Sequence, residues 1–246
     1  MKWLFQNVGK RAAFALRNPR YAAGSIIREF TRSDESFIAR ITDTRAQEIR
    51  GYLNEPVWTP GFAALLKAAA EEFRHLSIES ADVFAKKVLL QYAAARALAP
   101  ELIVETGIAN GVSSAYLLLA IQKNGRGRLH SIGLRDPKFL PPGREPGWIV
   151  PSWLRGPWQV EIGDSREILA PSLSQFGSID VFIHDTLHTY EHMLWELETA
   201  YPALRRGGLM LCDDALWNSA FYDFAAKMRE PDARILRGVG FLRKSR

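Results

Sequence analysis

The sequence predicts a doubly wound α/β fold: a seven-stranded, mostly parallel sheet that closes with a C-terminal antiparallel hairpin and follows a helical N-terminal extension. Three observations predict it. From Glu101 onward short apolar runs alternate with helix-length stretches. The stretch Leu102 to Leu119 passes from a strand through a glycine-bearing turn into a helix start. The last two apolar runs are separated only by Gly238-Val239, which leaves no room for a crossover helix and requires antiparallel pairing.

Taken in order, residues 1–30 mix Trp3, Phe5 and Phe14 with Lys2, Lys10, Arg11, Arg17 and Arg20. Charges interrupt every apolar stretch there, so the segment does not read as a signal peptide. It reads as an amphipathic helix that docks on its own protein or a second subunit, with peripheral contact to an anionic membrane as the other reading. Residues 33–74 read as helical. Ser33 or Asp34 caps a helix carrying Phe37, Ile38 and Ile41, and Thr59-Pro60 starts a second helix with Phe62, Leu65, Leu66 and Phe73 on one face. Ser80 is read as the cap of a third, over Ala81 to Leu98, ended by Pro100. The predicted domains are therefore a helical extension over 1–80 and an α/β domain over 81–246.

The predicted strands are Leu102 to Glu105, Arg128 to Ile132, Trp158 to Ile162, Ile179 to His184, Gly208 to Cys212, Arg234 to Leu236 and Gly240 to Leu242. Helices are predicted over Ser113 to Lys123, with Ser113 and Ser114 as caps, and over Ser165 to Leu173, Thr189 to Leu204 and Trp217 to Arg229. The stretch from Leu134 to Pro157 is rich in Pro and Gly and carries Trp148 and Trp153. A loop this long inside a compact domain reads as a lid or binding loop, whose aromatics either stack on a ligand or anchor the loop to the core.

Composition sets the outer limits. The 246 residues are 47% hydrophobic and 24% charged, which is ordinary for a globular protein. The single cysteine, Cys212, excludes an intramolecular disulfide and points to a reducing, cytoplasmic setting; its apolar neighbours make it a core thiol. A net charge of +5 suits an acidic ligand, but the basic residues are scattered and no nucleic-acid-binding module is present. No apolar run is long enough to span a bilayer.

The chemistry concentrates at the carboxyl ends of the strands, where open α/β sheets bind ligands. The turn after the first strand offers small residues for close approach and free N–H groups for an anion. A dinucleotide fingerprint needs glycine where this chain has Gly107, Ala109 and Val112, so that reading fits poorly. Other strand ends supply Gly133 to Asp136, Asp164 with Ser165, His184 with Asp185, and Asp213 with Asp214. Asp185, Asp213 and Asp214 are three carboxylates from two strand ends. Such oxygen ligands suit Mg²⁺ or another hard divalent cation, while a helix cap is the plain alternative for the Asp213-Asp214 pair. His188, three residues past Asp185, is placed to act as a general base. His188 and His192 do not form H-E-x-x-H, and His192 reads as a packed or supporting histidine.

An acidic residue followed by G-x-A-x-G, in IVETGIANGVSSAY, resembles the first motif of the class I S-adenosylmethionine (SAM) methyltransferases. Together with GWIVPSWLR, GDSRE, IDVFIHDTLHTYEHM and GGLMLCDDALWNSAFYDF it resembles their metal-dependent O-methyltransferase branch in natural-product and sugar biosynthesis, over roughly Ala81 to Arg246. The resemblance implies a Rossmann-like sheet. It implies SAM contacts at Glu105, Gly107, Ala109, Gly111, Ser113 and Gly133, with adenine contacts at Asp164 and Ser165. It further implies metal ligands at Asp185, Asp213 and Asp214, His188 as base with Asp185 in the catalytic pair, and a hydroxylated small molecule as acceptor. At the end of the second strand the family has an acidic residue for the SAM ribose, where this chain has Gly133; Asp136 is the expected replacement. Two alternatives stay open: an NADP-dependent oxidoreductase using Arg135, and a non-catalytic binding protein with a degenerate cofactor site. A helical extension also makes a homo-oligomer plausible.

Overall fold

The computed structural model describes residues 34–75 and 86–245. The expected basic aromatic helix over 1–30, the cap at Ser80 and the domain boundary at 80 lie outside the described residues.

Among the described residues four helices come first: α1 (Asp34–Ile41), α2 (Ala46–Trp58), α3 (Pro60–His75) and α4 (Lys86–Leu98). There follow β1 (Leu102–Thr106), α5 (Val112–Asn124), β2 (Arg128–Gly133), β3 (Trp158–Ile162), α6 (Ser165–Phe176) and β4 (Ile179–His184). The chain then runs through α7 (Tyr190–Ala200), β5 (Leu204–Cys212), α8 (Ala220–Lys227), β6 (Arg234–Leu236) and β7 (Val239–Arg243). The sheet order is β3-β2-β1-β4-β5-β7-β6. Strands β1 to β5 pair in parallel, and β7 runs antiparallel to both β5 and β6, the predicted hairpin.

Alternation along the central strands explains why both faces are covered. Ile103, Val181, Ile183, Leu209 and Leu211 face one core, shared with α1 to α5; Val104, Phe182, Met210 and Cys212 face the other, shared with α6 to α8. The first core joins the early helices directly to the sheet. Phe37 meets Phe241 edge to face at 6.4 Å, and Phe62 meets Tyr116 at 5.0 Å. Glu55 of α2 ties α4 in, accepting from Tyr92 Oη at 2.5 Å and from Arg96 Nε at 2.6 Å and Nη2 at 3.0 Å.

Several boundaries differ from the expectation. Leu204 opens β5 rather than closing α7, because residues 201–203 form a turn. Leu204 pairs with Ile179, and the β4–β5 register then shifts before Val181 meets Leu209. Helix α8 starts at Ala220, so Asp213 and Asp214 do not cap it. Ser113 and Ser114 lie inside α5 and do not cap it either; the N-cap position belongs to Gly111 at φ 90°.

Candidate active site

Backbone pairing at the strand ends builds the site. Gly107 N–H donates to Ile132 O at 2.8 Å, Asp185 N–H to Thr106 O at 2.9 Å, and Asp213 N–H to His184 O at 2.8 Å. These bonds place the glycine turn beside the Asp185 loop and the Asp213 loop. Gly107 takes φ 92°, and Ala109 also adopts a left-handed conformation at φ 41°. Ala109 is exposed and Gly107 half-buried at the open end of the sheet.

Glu105 has a different place from the one expected. It is fully buried, and its carboxylate accepts from Ser113 Oγ and Ser114 Oγ, each at 2.6 Å, and from Ser131 Oγ at 2.7 Å. Burial pushes its pKa up, while the three hydroxyls pull it down. The acid therefore fastens β1 to α5 and β2 from within, and Ser113 is engaged in the same bond set. Asp164 is exposed and caps α6 through Arg166 N–H at 2.9 Å, and Ser165 is buried against His192 Nε2 at 3.3 Å.

The stretch from residue 134 to 157 is fastened over the glycine turn. Gly147 N–H donates to Ala109 O at 2.9 Å, and Trp148 Nε1 to Asn110 Oδ1 at 2.7 Å. Trp148 also packs edge to face on Phe73 at 5.7 Å, so it anchors the loop, whereas Trp153 stays exposed. Gly111 is required here because a Cβ would stand 2.7 Å from Gly147 Cα. Arg135, the cation that the oxidoreductase reading uses, pairs with Glu145 at 2.5 Å on the exposed surface of this loop. Gly133 packs on Ile108: a Cβ would lie 3.0 Å from Ile108 Cγ1. Asp136 holds its own turn, accepting from Lys138 N–H at 2.9 Å.

The acidic group is more compact than three aspartates alone. Ligand atoms of Asp185, His188 and Asp213 all lie within 4.8 Å of one another. Asp214, which adopts φ 47°, sits further out, its Oδ2 at 3.9 Å from His188 Nδ1. His188 Nε2 stands 3.5 Å from Asp185 Oδ1, and the His188 ring lies 5.4 Å from that of Trp217. Burial and the Asp213 charge push Asp185 above the usual carboxylate range. For His188 burial works downward, but Asp185, Asp214 and Asp213 outweigh it and raise the imidazole. Asp213 is 3% exposed, and its Oδ1 has no hydrogen-bond partner among the described residues.

Sequence reasoning misses two members of the site. Lys87, at the start of α4, places Nζ 2.5 Å from Asp213 Oδ2 and 3.9 Å from Asp214 Oδ1. Glu196 of α7 is fully buried and accepts from Thr106 Oγ1 at 2.5 Å and Thr186 Oγ1 at 2.9 Å; it pairs with His184 Nδ1 at 2.6 Å and His192 Nε2 at 3.0 Å. Burial works to raise its pKa, yet these partners hold it well below the carboxylate range. Glu196 thus ties the ends of β1 and β4 to α7 and fixes the loop that carries Asp185. His192 takes the supporting role its packing suggests. The only sequence signal for Glu196 is its spacing of four from His192 on one helix face.

The family model described as a methyltransferase domain matches residues 104–215, which span the glycine turn and all three aspartates. No curated protein matches the chain by sequence. Among solved structures, the O-methyltransferase TomG from Streptomyces achromogenes, in complex with SAM, superposes with TM-score 0.57 at 18% identity, over 74% of this chain and 90% of its own. The SAH-bound methyltransferase PaMTH1 from Podospora anserina gives 0.55 at 15% identity, over 75% and 87%. A methyltransferase from Geobacter sulfurreducens gives 0.54 at 18%, over 74% and 89%. The strand order and the superpositions agree: this chain has the class I methyltransferase fold, and the stretch that the methyltransferase-domain model matches holds its glycine turn and its strand-end aspartates.

Proposed function

We propose that the chain transfers a methyl group from SAM to a hydroxyl of a small molecule, with a divalent cation and a histidine base. The observation that carries this reading is the convergence of Asp185, Asp213 and His188 beside the glycine turn, with a carboxylate oxygen of the buried Asp213 unpartnered among the described residues. That donor set fits a hard cation: carboxylate oxygens from Asp185 and Asp213, with Asp214 the next carboxylate out. When bound, the cation fixes an acceptor oxygen and lowers its pKa.

The chain's own residues do the rest. The turn from Gly107 to Gly111 and the cap of α6 at Asp164 line the open end of the sheet where the methyl donor is received. Leu187, next to His188 in sequence, and Trp217, whose ring lies 5.4 Å from that of His188, are both exposed and offer apolar surface to an acceptor. His188, whose Nε2 stands 3.5 Å from Asp185 Oδ1, is the imidazole beside the acidic group that would take the hydroxyl proton, a contribution of about 10²–10⁴-fold. Orienting the acceptor supplies the larger share, up to about 7–11 kcal/mol. Among the described residues no helix is long and apolar enough to cross a membrane.

The test combines binding with turnover. SAM should raise the melting temperature, and a panel of sugar, polyketide and catechol hydroxyls should reveal SAH formation with a subset. Chelation, Asp185→Ala and His188→Ala should each remove most turnover while SAM still binds. Full turnover in EDTA would remove the cation from the reaction. The contact of Ile108 with Gly133 favours a second reading, a domain without cofactor affinity, which predicts no thermal shift with SAM.

A further inference from the structure

We propose that Lys87 is the resident counter-ion of the acidic site and competes with the divalent cation for Asp213. This inference rests on the metal reading above and adds a residue from the helical block that precedes the α/β sheet.

Asp213 is 3% exposed, and a buried carboxylate needs a partner. Its two oxygens are treated differently. Oδ2 accepts from Lys87 Nζ at 2.5 Å, whereas Oδ1 has no partner among the described residues. The same ammonium stands 3.9 Å from Asp214 Oδ1, so one cation serves two carboxylates. His188 also meets the group, 3.5 Å from Asp185 Oδ1 and 3.9 Å from Asp214 Oδ2. Three carboxylates at this spacing would otherwise repel one another.

An ammonium and a divalent cation cannot both sit against Asp213 without a strong like-charge cost, because at a few ångströms Coulomb repulsion in a half-buried site is large. Loading the site therefore requires Lys87 to withdraw. The lysine is built for that: its charge sits on a flexible four-carbon stem, and its side chain keeps 34% exposure, so the ammonium has solvent to move into. Two consequences follow. Lys87 stabilises the site when no metal is bound, and it lowers the apparent affinity for the metal when one is offered. Helix α4 thereby sets the metal threshold of a site whose ligands all come from the loops that follow β4 and β5.

The experiment titrates Mn²⁺ into the full chain, reading free metal by electron paramagnetic resonance, for the natural protein, Lys87→Met and Lys87→Gln. Both variants should bind Mn²⁺ tighter by about tenfold or more, since a neutral side chain neither occupies Oδ2 nor repels the ion. Both should melt lower than the natural protein in EDTA and gain more from added Mn²⁺. Asp213→Asn should abolish binding in either background. If the variants fold cooperatively and bind Mn²⁺ with the natural affinity, or more weakly, the competition does not exist although the metal site does. If none of the proteins binds Mn²⁺, the metal reading itself fails, and the lysine is then a permanent partner of Asp213.

Discussion

The α-carbon of Gly107 lies directly against the main-chain carbonyl of Asp185, so close that a Cβ at position 107 would stand 1.7 Å from that oxygen. The glycine turn and the acidic strand end are therefore one packed unit rather than two neighbouring loops. Gly107→Ala should push the β4 end away and impose a left-handed backbone on a residue with a Cβ. Strain of that backbone alone costs about 1–2 kcal/mol, and the collision adds to it. Gly143→Ala supplies the control, because Gly143 has φ 75° but open space around its missing Cβ. Thermal melts and Mn²⁺ titration should show Gly107→Ala losing metal affinity and more stability than Gly143→Ala, which should lose only the backbone strain of about 1–2 kcal/mol and no metal affinity. Equal behaviour of the two would mean that the contact at Asp185 is unimportant.

Glu105 offers a second discrimination. If its role is to hold three serine hydroxyls, Glu105→Ala leaves buried donors unpaired and should cost about 3 kcal/mol or more. Glu105→Gln should be milder, because an amide oxygen still accepts and the Ser113 and Ser114 hydroxyls can turn. SAM affinity of the Gln variant, measured by calorimetry, should stay within a factor of a few of the natural protein. A large loss of SAM affinity without a change in melting temperature would restore the direct cofactor role that the motif implies.

Much of this architecture is legible in the sequence because the strands are short and sit between clear turn signals, so Trp158 to Ile162, Ile179 to His184 and Arg234 to Leu236 are bounded by their flanking residues. Leu204 is not legible in the same way, because an apolar residue at a helix end is indistinguishable from one at a strand start until the turn at 201–203 is seen. The strand-end aspartates are visible for a topological reason: parallel strands deliver their carboxyl ends to one side. Orientation is not visible. Glu105 precedes the turn in sequence but faces inward, where Ser113, Ser114 and Ser131 offer it three donors. Lys87 is hidden for another reason, since a residue 126 positions from its partner carries no periodic signal. The sequence places Asp136 within reach of the ribose site, but its side chain closes a local turn onto Lys138 N–H.

Acid should loosen the helical block through Glu55. Burial works to raise its pKa, but the bonds from Arg96 and Tyr92 outweigh that and hold it below the usual 4.5. A folded pKa below the unfolded one means that the stabilisation is complete above about pH 5 and fades as pH falls through the folded value. Glu55→Gln should cost about 1–2 kcal/mol near neutrality, the lower part of the range for charged hydrogen bonds once solvent screening is allowed for. The gap in melting temperature between the natural protein and Glu55→Gln should then narrow as the pH is taken from about 6 to about 3. A gap that does not change with pH would show that Glu55 acts through shape rather than charge.

If the proposed SAM site is real and Ile108 is the reason that position 133 is glycine, an acidic ribose contact can be built there. A Cβ at Gly133 would meet Ile108 Cγ1 at 3.0 Å and its Cβ and Cδ1 at 3.2 Å, so Gly133→Asp alone is overpacked and should lose about 1–3 kcal/mol of stability. Ile108→Ala removes two of the three obstructing atoms, Cγ1 and Cδ1, and leaves the Cβ at 3.2 Å. The double variant Ile108→Ala/Gly133→Asp should regain part of that stability relative to Gly133→Asp. It should also bind SAM about tenfold or more tightly than the Ile108→Ala parent, the worth of one charged hydrogen bond. Calorimetric titration of SAM into the single and double variants reads both effects. Unchanged affinity in a well-folded double variant would mean that position 133 does not face the ribose hydroxyls. A companion titration of Asp136→Ala then decides whether that residue leaves its turn to serve the ribose: weaker binding shows that it does, and unaltered binding shows that its bond to Lys138 is its whole role.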